Sequence, residues 1–125
     1  MLIDLEPVVI SALRSDPELS SLLGKDAKGN VKVYPLAAPD ISNPKITFFE
    51  LTNFDNKYAG DQAVSSSIHF QIDLWHSSNT SKISIAANRV MESLGFVRSG
   101  TNSMYESDTK TYHKVLRYKK THLGS

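Results

Sequence analysis

The chain has 125 residues, 40% of them hydrophobic, and a formal net charge of +1. That is enough for one domain around one core, and too little positive charge for a general polyanion binder. It holds no cysteine, which excludes disulfides, thiolate catalysis and Cys-ligated zinc or iron–sulfur centres.

Two short helices are expected first. Asp4 reads as an N-cap, with Glu6 and Pro7 in the first turn and Leu5, Val8, Val9, Ala12 and Leu13 as the apolar stripe. Ser15-Asp16-Pro17-Glu18 reads as a capping box, with Ser15 capping and Glu18 reaching back. Leu19, Leu22 and Leu23 give that second helix its buried side, and Gly24 ends it. Asp26 to Asn30 is a turn, and Val31, Val33 and Leu36 suggest a short strand stopped by Pro35 and Pro39.

Lys45 to Thr52 is rich in β-branched and aromatic residues and reads as a strand, with Ile46 and Phe48 on one face and Phe49 and Leu51 on the other. Asn53 to Gln62 reads as a long polar loop carrying Phe54 and Tyr58. It joins that strand to a strand at 64–75, where Ile68, Phe70, Ile72 and Leu74 alternate with polar residues; the two strands are expected to be antiparallel neighbours. Ile83, Ala86, Ala87, Val90, Met91 and Leu94 follow at helical spacing. The period changes from two to 3.6 within a few residues, so a half-buried strand feeds an amphipathic helix over about 79–94. Ser78 or Asn79 caps it and Gly95 stops it. Phe96–Arg98 and Met104–Glu106 suggest further strand, interrupted by Ser99–Asn102. A turn at Ser107–Lys110 leads into an alternating strand from Tyr112 to Lys119. The expected fold is α+β: one domain over 1–125, with a mixed, mostly antiparallel sheet flanked by the N-terminal helices and the 79–94 helix.

No apolar run approaches the roughly 20 residues that cross a bilayer. The opening Met1-Leu2-Ile3-Asp4-Leu5-Glu6 lacks the basic start and apolar stretch of a secretory signal. A protein made and kept in a cytoplasm is expected.

Candidate chemistry is sparse. His69 and Asp73 share a strand face, but four residues along a strand span roughly 13 Å, too far for two ligands of one ion. They read as polar groups on a solvated face. Phosphate-binding glycine loops, dinucleotide fingerprints, zinc-protease motifs and nucleophile elbows are missing from the sequence. The expectation is a protein that is not an enzyme, with no catalytic, cofactor or metal residues.

Binding surfaces are better marked. Residues 1–62 hold six Lys/Arg and nine Asp/Glu, whereas 63–125 hold eight and four. Such polarity suits self-association through unlike faces, although it also arises by accident of surface composition. The basic and aromatic residues interleaved from Lys110 to Lys120 describe either a nucleic-acid platform or an edge strand guarded by lysines. The near-neutral chain favours the edge or interface reading. In the 53–62 loop, Phe54 and Tyr58 either fold back on the sheet or stand out as anchors for a partner.

Several segments together resemble the tail completion proteins of long-tailed bacteriophages and prophages, the tail-to-head joining or tail-terminator group. They are Glu6-Pro7-Val8-Val9, Val33-Tyr34-Pro35-Leu36-Ala37-Ala38-Pro39, Pro44-Lys45-Ile46-Thr47-Phe48-Phe49, Phe70-Gln71-Ile72-Asp73-Leu74-Trp75 with its helix, and Tyr112-His113-Lys114-Val115-Leu116-Arg117-Tyr118. The resemblance spans nearly the whole chain, and shared order carries it. It implies a structural protein of the virion, assembled in the host cytoplasm, that forms a ring, typically six-fold, on the head-proximal end of the tail tube. Its implied partners are other copies of itself, the tube protein and the connector, or head-completion, protein; DNA would pass through the ring without sequence-specific binding. Phe54, Asp55, Lys57 and Tyr58 are the expected docking contacts. Lys114, Arg117 and Lys119 are expected to pair with a neighbour's acidic half.

Overall fold

The alternating stretch ending at Trp75 forms the middle of a five-stranded sheet. A computed structural model describes residues 2–39, 42–60 and 62–123, apart from the side chains at 56, 57, 62–64 and 123. The elements are α1 (Glu6–Ser15), α2 (Pro17–Leu23), β1 (Val33–Pro35), β2 (Lys45–Ala59), β3 (Gln62–His76), α3 (Ser81–Ser93), β4 (Val97–Glu106) and β5 (Thr111–Leu123). The sheet order is β1-β2-β3-β5-β4. β1 runs parallel to β2 and all other neighbours are antiparallel, so the fold is the expected α+β arrangement.

The period-two pattern sorts the faces of the sheet. Ile46 and Phe48 of β2, Ile68, Phe70, Ile72 and Leu74 of β3, and Leu116 and Tyr118 of β5 are buried. They form one core with Val9, Leu13, Leu19, Leu23, Ile83, Ala86, Ala87, Val90 and Met91 from the three helices. Phe70 meets Phe96 edge-on at 5.7 Å and Phe48 at 6.3 Å. Each fully buried side chain of this kind contributes about 1.5–3 kcal/mol by burial. The helices cover one face of the sheet, and the other face is bare.

Caps and stops set the helix ends. Asp16, not Ser15, caps α2: its carboxylate accepts the Leu19 backbone N–H at 3.0 Å. The N-cap of α1 is Leu5, and Asp4 one residue earlier accepts the Glu6 N–H at 3.1 Å. Thr80 is the N-cap position of α3, while Asn79 accepts from the Ser81 N–H at 2.7 Å. Gly24 and Gly95 take positive φ, 73° and 89°, and end their helices as expected.

Three expectations about the strands are overturned. Most of the supposed loop from Asn53 to Gln62 is strand: β2 runs to Ala59 and β3 begins at Gln62, each 15 residues long, and they pair up to Ala59↔Gln62. Register shifts at Glu50/Thr52, Asp55/Lys57 and Lys57/Tyr58 break the alternation, which is why the sequence shows no period of two there. Ser99–Asn102 is not an interruption, because β4 runs through it with a shift between Arg98 and Gly100. Finally, β5 is not an edge: β3 and β4 flank it, and β4 is the edge strand.

Candidate functional site

The sheet is longer than the helix layer, and its ends are exposed. At one end the β2–β3 hairpin continues past the pairing of β1, which stops at Pro35↔Phe48. Phe54 is 52% and Tyr58 60% exposed. The Phe54 ring stacks on His69 at 6.4 Å, which puts it on the bare face with Ser67 and Gln71. Asp55 accepts the Ser66 hydroxyl at 3.0 Å, on the helix side. Lys57 lies in β2 opposite Ser65, and its side chain is outside the described residues. Phe54 and Tyr58 thus stay exposed and do not enter the core.

At the opposite end, beside the turn between β4 and β5, Tyr105 and Tyr112 pack together with ring centroids 4.8 Å apart. Both are more than 40% exposed. This second aromatic end escaped the sequence reading, because Tyr105 lay in what looked like fragmentary strand.

The three cations expected to act together do not share a face. Arg117 and Lys119 point to the bare face, and Lys114 lies on the other side with Leu116 and Tyr118. Arg117 donates through Nε to Gln71 Oε1 at 3.1 Å. Tyr118 is fully buried and donates to Asn88 Oδ1 at 2.8 Å; burial pushes its phenol pKa up. The strand therefore offers no single surface where bases could stack between cations.

The bare face carries a polar network centred on β3. Gln71 Nε2 donates to both oxygens of Asp73, at 3.2 and 3.3 Å. Asp73 Oδ1 lies 2.8 Å from His113 Nε2. The His113 ring stacks on Trp75 at 3.7 Å, and its Nδ1 faces Glu106 Oε1 at 3.4 Å without a hydrogen bond. Asp73 is buried, 6% exposed, not solvated as its sequence position suggested. Its partner stands 40 residues away in sequence, so no local signal could find it. Arg117, Gln71, His113, Asn102 and Met104 border an open cavity of about 370 Å³.

The network is a cross-strand tie linking β3, β5 and β4. It contains a carboxylate, an imidazole and a second carboxylate in line, but no serine or other nucleophile takes part in it. Among the described residues no group of three or more His, Asp or Glu is placed to hold a metal ion. No helix among them is long and apolar enough to cross a membrane.

A bare polar sheet face, aromatic ends and an uncovered edge strand are features of a structural subunit, and here of one from a phage-type tail. The profile of the family described as tail completion protein gp17 matches residues 7–122, and the chain belongs to that family. The fold is also similar to that of a chain in the virion of a native gene transfer agent particle. The TM-score is 0.67 over 94% of this chain and 92% of that one, at 16% identity, a likeness of fold alone. No curated protein matches the sequence.

Proposed function

We propose that the chain caps the head-proximal end of the tail tube as a ring, six-fold in the assembled particle, and forms the surface that joins the tail to the capsid connector. It acts by association alone, with no bond made or broken. The observation that carries this reading is the placement of exposed aromatics at both ends of one sheet, Phe54 and Tyr58 at one end and Tyr105 and Tyr112 at the other. A part that bridges two different partners needs two such ends, and aromatics dominate the energetics of docking surfaces. Strands of 15 residues at about 3.3 Å per residue give a span of ~50 Å.

The ring also suits the charge pattern. Its partners would be other copies of the chain, the tube protein and the connector protein, with DNA passing through the lumen unread. The test is to locate the chain in particles by electron microscopy with an antibody or a fused tag. Label at the head–tail junction is expected; label along the tube or at its distal tip contradicts the proposal. Salt-sensitive DNA binding by the isolated chain at physiological salt would instead favour a nucleic-acid role.

A further inference from the structure

We propose that the outer edge of β4 is a strand-pairing surface whose occupant is the projecting part of β2 from a second copy of this chain. The inference rests on the ring reading and specifies its subunit contact.

β4 is ten residues long and ends the sheet order. Eight of its ten residues are exposed. Natural edge strands are blunted by proline, lysine, inward charges or a covering segment. β4 has no proline or lysine, its charges are Arg98 and Glu106 near its two ends, and the run Gly100–Glu106 pairs with β5 without a register shift. Its outward backbone groups face solvent in a row that another strand can pair with.

The same chain supplies a matching strand. Among the described residues, β2 beyond Phe48 has a strand neighbour on one side only, β3. The two edges lie on opposite sides of the sheet, so a contact between them is heterologous and propagates head to tail into a ring or a filament. The strand directions agree as well. β4 runs opposite to β2 within one subunit, so rotation about an axis along the sheet places β4 antiparallel to the next β2. Reaching the projecting part needs an axial shift of roughly six residues, ~20 Å, across four strands of about 4.8 Å spacing. That is a strand tilt near 45°, within the range of closed barrels. The pairing uses backbone groups and leaves Asp55 with Ser66.

Charge favours this partner. β4 and β5 carry Arg98, Lys114, Arg117, Lys119 and Lys120 against Glu106. α1, α2, β1 and β2 carry Glu6, Glu18, Glu50 and Asp55 against Arg14, Lys45 and Lys57. The sheet order sets these groups on opposite sides of the sheet, so the β4–β5 side, whose cations lie mainly on β5, meets a side with a small excess of carboxylates.

The absence of cysteine makes a disulfide test clean. Asn102→Cys or Met104→Cys, which share the bare face with Thr52, is combined with Thr52→Cys in assembled particles, oxidised, and resolved without reductant. At least one pair is expected to give a ladder extending beyond the dimer, because only strands in contact bring Cα atoms within about 7 Å. Each single variant is expected to stay monomeric. A dimer from a single β4 variant would overturn the inference in favour of a two-fold contact. So would the absence of any ladder from the two pairs in particles where a lysine-reactive cross-linker still yields multimers; the ring would then stand on another surface. If that cross-linker also yields none, the ring reading itself falls.

Discussion

Trp75 and His113 lie stacked across β3 and β5 with ring centroids 3.7 Å apart and planes 13° from parallel. The stack closes one end of a chain of contacts from Arg117 through Gln71 and Asp73. It sits on the face that no helix covers. A buried carboxylate there is tolerable only because it is hydrogen-bonded on both sides.

Replacing His113 with Ala therefore leaves the Asp73 carboxylate short of its imidazole partner. A loss of about 2 kcal/mol is expected in urea unfolding, since bonds to charged groups contribute about 1.5–3 kcal/mol. Trp75 is the chain's only tryptophan, so its emission reports the same change. An unchanged spectrum and midpoint would show that the stack is incidental.

Asp16 joins two helices: it caps α2 and accepts from Arg89 of α3 at 2.9 Å. The Arg89 bond, with the Leu19 N–H, holds its carboxyl below the ordinary 3.8 despite some desolvation. The folded state thus binds this proton less readily than the unfolded state. The stabilisation is complete above the ordinary carboxyl value and fades as pH falls through the lower folded value. Asp16→Ala is expected to cost about 1–2 kcal/mol at pH 7, the range of a lost cap. The gap from wild type should narrow in melts taken below pH 4.

Phe54 and Tyr58 are exposed, so their double alanine variant should keep its stability to within about 0.5 kcal/mol. Head joining should fall by at least tenfold, counted as infectious or DNA-filled tailed particles. Normal joining by a folded variant would remove the hairpin from the docking surface.

Reversing Arg117 and Lys119 to Glu acts on the basic side of the bare face. Subunit association is expected to slow about tenfold in low salt, with the difference shrinking as salt rises. Lys114→Glu, on the other face, tests whether the charge effect belongs to one side of the sheet. Equal effects from both changes would point to net charge alone.

The sequence showed much of this architecture. The β3-to-α3 change of period, the glycine stops and the split of faces in β5 were readable because each is local, set by spacing within a few residues. The hairpin was not. Three register shifts scrambled its alternation, and the residues it buries beyond Ile68 include the polar Ser65 and Ser66, so no apolar stripe marks its inner face. The edge strand was misassigned for a different reason: β5 carries the lysines that usually guard an edge, while β4, poor in charge, takes the edge itself. The Asp73–His113 contact depends on register between distant strands, which only the fold supplies.

The central claim is that this chain ends the tail tube and joins it to the head. The most direct measurement is electron microscopy of particles made without the chain, scoring tail length and attached heads. The account predicts tails of uncontrolled length beside separate, DNA-filled heads, with both defects reversed when the chain is restored. Joined particles with tails of normal length would contradict it.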